Sequence, residues 1–159
     1  MSGIVGQYGI GQRSGIIGPA ASNQPAFLAR SGGQSTPAND DTITFGTVVF
    51  DQTGNFSSNT FTAPVSGRYQ FQYYIIFYTV DNANTHLRTN LKTTNREFSG
   101  PKFSPDDFFN NDNVYWSVSF SMLTDMDAND TAYCTYNFTG GSTVNEIQSD
   151  SAFSGYLAC

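Results

Sequence analysis

The chain has 159 residues, enough for one domain with a real hydrophobic core, and only 13% of them are charged, about half the usual share. The net charge is −6, every Lys and Arg lies at or before Lys102, and beyond it the charged side chains are all acidic. Such a surface repels phosphate backbones, which argues against nucleic-acid binding. No apolar run approaches membrane-spanning length, so membrane insertion is not expected either.

Residues 1–24 differ from everything that follows. Ser2-Gly-Ile-Val-Gly6 is echoed by Ser14-Gly-Ile-Ile-Gly18. So many glycines make backbone ordering costly, and the segment is not expected to fold alone. Ile4, Val5, Ile10, Ile16 and Ile17 build no helical stripe; they fit an extended arm that docks on a partner through these five side chains. A disordered leader is the alternative reading. No charged stretch followed by an apolar run marks a secretory signal, so synthesis in the cytoplasm is expected.

Residues 25–159 form the second unit, and period-two alternation dominates it. Short pieces occur at 43–50 and 86–92. Between them, Tyr69, Phe71, Tyr73, Ile75 and Phe77 line one face of a strand. Its other face begins polar at Arg68, Gln70 and Gln72 and then turns apolar at Tyr74, Ile76 and Tyr78. A sandwich strand normally wets that face, so these three residues mark an interface between copies; coverage by the chain's own loops is the alternative. Residues 99–113, with two prolines and many Asp and Asn, read as a long loop. Val114, Trp116, Val118, Phe120 and Met122 form a second stripe, Ala132, Cys134, Tyr136 and Phe138 a third, and Phe153, Gly155, Leu157 and Cys159 a fourth. Turn residues at 52–54, 64–67, 81–84, 125–130 and 140–141 separate the runs. The class is all-β: a sandwich, barrel or jelly roll. Cys134 and Cys159 both lie in alternating runs and are expected to be buried thiols rather than a bridge.

The stretch Phe61-Thr-Ala-Pro-Val-Ser-Gly-Arg-Tyr-Gln-Phe71 resembles the Phe-x-x-Pro-x-x-Gly-x-Tyr-x-Phe signature of the globular C1q domain in the C1q/tumour-necrosis-factor superfamily. Pro25-Ala-Phe-Leu-Ala-Arg30, Val48–Phe56 and Phe153-Ser-Gly-Tyr-Leu157 resemble that family's first, intermediate and closing segments, in the right order. The resemblance implies a ten-stranded C1q/TNF-like jelly-roll sandwich that assembles as a homotrimer. The family's usual turn before the signature is shortened here to Ser57-Ser-Asn-Thr60, and residues 1–24 contain no sustained collagen-like Gly-x-y repeat. Met1-Ser-Gly-Ile-Val-Gly6 and Arg13-Ser-Gly-Ile-Ile-Gly18 resemble the leaders of virion-associated proteins in marine tailed phages.

Catalytic patterns are missing. The single histidine, His86, alternates with Arg88 and Asn90 opposite Leu87 and Leu91 on a short strand, a face expected to lie at the surface; no Gly-x-Ser-x-Gly elbow accompanies it. Gly9-Ile-Gly11 begins like a dinucleotide fingerprint, but the next glycine falls one residue late. Asp125-Met-Asp127-Ala-Asn129-Asp130 imitates the start of an EF-hand, yet Asp130 replaces the sharp-turn glycine and Tyr136 falls where the bidentate glutamate belongs. No cofactor is expected; a looser oxygen-lined Ca²⁺ site on this loop is compatible with the residues but assignable to none of them. The reading is a non-enzymatic phage virion protein, trimeric, docked on other virion proteins through residues 1–24. It would act as a tail-fibre tip that binds a host-surface glycan or protein, or as a capsid decoration. A cellular C1q-like ligand or lectin is the rival.

Overall fold

A computed structural model describes residues 24–111, 115–141 and 146–159 of the chain. The five predicted docking residues Ile4, Val5, Ile10, Ile16 and Ile17 lie outside the described residues, as does Val114. In chain order the first strands are β1 (Ala26–Arg30), β2 (Gln34–Ser35), β3 (Thr47–Asp51), β4 (Phe56–Ser57), β5 (Thr60–Thr62) and β6 (Gly67–Tyr78). They are followed by β7 (Asn84–Thr93), β8 (Glu97–Phe103), a single helical turn α1 (Pro105–Phe108), β9 (Trp116–Met126), β10 (Thr131–Gly140), β11 (Glu146–Ile147) and β12 (Ala152–Leu157).

The strands form two antiparallel sheets packed face to face. One runs β2-β11-β6-β12-β1-β3, with β9 on the far side of β6; the other runs β4-β5-β10-β7-β8. The long strand β6 organises the first sheet, pairing with β9 from Gly67↔Met126 to Phe77↔Trp116 and with β12 from Tyr74↔Ala152 to Tyr69↔Leu157. Its odd-numbered residues 69–77 are buried, as the alternation predicts.

Between the sheets lies a core dominated by rings. Phe27 stacks on Phe56 and Phe61 at centroid distances of 4.6 and 5.1 Å and meets Phe153 edge-on at 5.0 Å. Gly155 makes room for this cluster, because a Cβ there would lie 2.9 Å from Phe27 Cε1 and closer still to the Phe71 ring. The shortened turn of Ser57-Ser-Asn-Thr60 is a tight hairpin between β4 and β5. Ser58 (φ 49°) and Asn59 (φ 66°) both adopt positive φ, as a two-residue I′ turn demands.

Three sequence expectations are corrected. Residues 99–113 are not one loop: 99–103 belong to β8 and Pro105–Phe108 to α1. Pro101 is tolerated because β8 is an edge strand, where a missing N–H leaves no ladder bond unmade. Pro105 suits the first helical position, followed by Asp106 and Asp107 in the first turn. Second, only Cys134 is buried, with its thiol pKa pushed up by burial; Cys159 is exposed because β12 ends at Leu157. Third, Asn90 on the face of β7 read as surface is fully buried, where it donates to Asn137 Oδ1 and lies 3.5 Å from Thr135 Oγ1. Asp40 reaches over the same spot, accepting from Lys92 Nζ (2.7 Å) and Asn137 Nδ2 (3.1 Å). The Lys92 hydrogen bond holds the Asp40 carboxyl below the usual carboxylate range.

The described ends of the chain meet at one pole. Gln24 Nε2 donates to Leu157 O (2.6 Å), Leu157 N to Pro25 O (2.9 Å), and Arg68 N to Cys159 O (2.8 Å). The strand that begins there, β1, is held on both edges, by β12 on one side and β3 on the other.

Where β8 crosses β6, the Tyr73 hydroxyl bonds Thr89 Oγ1 at 2.7 Å inside the core. Burial pushes the Tyr73 phenol pKa up despite that bond. A Cβ on Gly100 would overlap this hydroxyl and sit 2.9 Å from Thr89 O. Gly100→Ala is therefore expected to cost about 1–3 kcal/mol in urea unfolding, the usual penalty for overpacking. The cost should shrink when Tyr73→Phe removes the obstructing oxygen, and an equal cost in both backgrounds would refute the clash.

Candidate functional site

The outward face of the first sheet is the surface to which Tyr74, Ile76 and Tyr78 belong. They share it because β6 alternates and the odd residues point inward. Register then sets their neighbours. Tyr74 lies between Ser119 and Ala152, Gln72 between Ser121 and Ser154, and Gln70 between Leu123 and Tyr156. Tyr74 is 42% exposed, whereas Ile76 and Tyr78 are half-buried. Tyr78 is covered by Tyr115, which stacks on it at 4.4 Å.

The face thus carries apolar groups toward both ends, Tyr115 and Tyr78 at one and Leu123 and Tyr156 at the other. Tyr74 stands between them among small serines and glutamines. Gln70 Nε2 is held by Ser121 Oγ at 2.6 Å. Charged residues come at its limits: Arg68 opposite Asp125 at one end of β6, Glu146 opposite Tyr78 at the other. Tyrosine-rich, uncharged at its centre and rimmed by charge, this surface has the make-up of a protein interface. Tyr115, Leu123 and Tyr156 were not singled out from sequence. Their only signal was bulk at positions whose alternating neighbours read as solvent-facing, and it took the register to place them beside Tyr74.

The other candidate chemistry is not brought together among the described residues. His86 is half-buried and its Nε2 lies 3.2 Å from Thr139 Oγ1. Its pKa is lowered by burial and then by the charges of Lys102 and Arg88. In the acidic turn, the carboxylates of Asp125 and Asp130 are engaged by protein donors. Asp125 pairs with Arg96, while Asp130 Oδ2 accepts from Asp127 N (2.8 Å) and Asn95 Nδ2 (2.7 Å). Among the described residues no group of three or more His, Cys, Asp or Glu side chains is placed to hold a metal ion. No helix among them is long and apolar enough to cross a membrane.

Comparison with known proteins bears on the fold. No curated protein matches the chain. Among solved structures, the globular domain of zebrafish complement 1qA protein superposes with a TM-score of 0.62 at 20% identity, covering 86% of this chain and 98% of that one. Murine APRIL superposes with a TM-score of 0.57 at 8% identity, covering 84% and 98%. The family model described as C1q domain matches residues 26–158. With that match spanning the whole two-sheet body, the chain belongs to the C1q domain family and has its C1q/TNF-like jelly-roll fold.

Proposed function

We propose that the protein is a binding and structural component of a phage virion, a trimer joined through the outward face of β6, β9 and β12. Domains of this family are generally binding or structural modules, and they typically form trimers. The observation that carries the assembly reading is the uncharged, tyrosine-bearing face around Tyr74, which the isolated chain leaves open. Native mass spectrometry tests it: a trimer at micromolar concentration is expected, and a monomer overturns it.

The virion role rests on the resemblance of residues 1–24 to phage virion leaders. In this reading Ile4, Val5, Ile10, Ile16 and Ile17 dock the trimer on other virion proteins, and the jelly roll projects outward. As a tail-fibre tip it would engage a host-surface glycan or protein, where three weak contacts multiply into avidity. As a capsid decoration it would clamp neighbouring shell subunits. Deleting residues 2–18 is expected to leave the trimer intact and abolish its incorporation into particles, measured by mass spectrometry of purified virions. Undiminished incorporation would refute docking by the arm, and a free trimer that never accompanies particles would favour the cellular ligand or lectin.

A further inference from the structure

The strand β3 is an anomaly for a stable domain. Thr47, Val48, Val49 and Phe50 are all exposed, the last three at 47%, 53% and 48%. One edge of β3 pairs with β1, and no strand pairs with the other among the described residues. Proteins usually blunt such edges with lysine, proline or a covering element, because a bare apolar edge is a template for further strand pairing. Between Thr47 and Phe50 there is no charge and no proline. The opposite side of the sandwich is managed differently: the edge strands β8 and β9 close on each other through the Arg96–Asp125 ion pair and the packing of Phe103 on Trp116.

We propose that the free edge of β3 receives the chain's own N-terminal arm as an added strand, through Gly15-Ile-Ile-Gly18. Three observations converge. First, because side chains alternate along a strand, consecutive Val48 and Val49 put apolar surface on both faces of β3. Consecutive Ile16 and Ile17 do the same for an incoming strand. Second, the arm joins the described fold beside the correct end of β3: Gln52 N donates to Ala26 O (2.9 Å), and Phe27 pairs with Asp51. Third, the reach is ample. Residues 19–24 extend to about 20 Å at ~3.3 Å each, while stepping from β1 over β3 to its outer edge needs about two strand spacings, ~10 Å. A tether that short keeps the local concentration of the Ile pair in the millimolar range. The arm then runs parallel to β3; Ile16 and Ile17 are engaged within the chain, and docking on other virion proteins falls to Ile4, Val5 and Ile10 beyond the paired stretch. This pairing does not depend on the virion role.

The test uses the full chain with Cys159→Ser, so that no other exposed thiol competes. Val49→Cys is combined with either Ile16→Cys or Ile17→Cys and treated with copper–phenanthroline. One of the two pairs is expected to give a disulfide within a single chain, identified by mass spectrometry of the linked peptides. In parallel, Ile16→Asp/Ile17→Asp in the otherwise native chain is expected to speed amide exchange at Val48–Phe50 by at least tenfold, with β6 unchanged. A disulfide between chains would assign the edge to a second copy and overturn the proposal, as would no link together with unaltered exchange. Particle incorporation is not read here, so failure of the virion reading leaves this result standing.

Discussion

Tyr74→Asp is expected to turn the trimer into monomers in native mass spectrometry at micromolar concentration, with the far-ultraviolet circular dichroism of the fold unchanged. In the isolated chain the new carboxylate sits on an open face between Ser119 and Ala152 and stays hydrated. A surface change of that kind costs the fold within about 0.5 kcal/mol. In the trimer the same group loses its water, and the cation Arg68 lies at the rim opposite Asp125 rather than beside it. An unpaired buried charge costs several kcal/mol, and every trimer buries three. At 1.4 kcal/mol per tenfold, even about 4 kcal/mol weakens association roughly a thousandfold. Tyr74→Phe keeps the ring without the charge and should remain trimeric. A trimer that survives Tyr74→Asp would place the interface elsewhere.

Phe27→Ala is the substitution expected to damage the fold most. The ring is 1% exposed and packs against Phe56, Phe61, Phe71 and Phe153, so it ties β1 to both sheets. Its neighbours are themselves large and rigid and cannot collapse into the hole. Deleting such a ring costs about 3–5 kcal/mol. For a domain of this size that corresponds to a fall in Tm of about 6–20 °C at ~2–4 °C per kcal/mol. Differential scanning calorimetry reads it directly, with Val65→Ala on the exposed turn before β6 as the comparison. A shift in Phe27→Ala no larger than in Val65→Ala would mean that the ring cluster is not the keystone of the core.

How much of this was legible beforehand varies by element. The cores of β6, β9, β10 and β12 were, because each has a wet and a dry face and alternation reports that asymmetry. The family signature around Phe61–Phe71 was legible for the same reason, since Pro64, Gly67 and the alternating rings are scaffold. β8 escaped because Pro101 argues against a strand unless one knows that it lies on an edge. Asn90 escaped because the groups it meets, Asn137 and Thr135, are distant in sequence. The candidate site was half visible. Tyr74, Ile76 and Tyr78 stand out in one strand, but the rest of the face is assembled across strands from Tyr115, Leu123 and Tyr156, and only pairing register joins them. The edge of β3 was invisible, because exposure of Val48–Phe50 depends on what the sheet leaves beside it.

The position of β1 has a mechanical consequence. Its first residue lies at the pole where residues 24 and 159 meet, and both of its edges are hydrogen-bonded along its length. A pull on residues 1–24 directed away from that pole runs along the strand axis. The β1–β12 and β1–β3 ladders are then loaded in shear, so their bonds must fail together instead of unzipping one at a time. If the arm is a tether, its anchorage in the body is arranged to resist force.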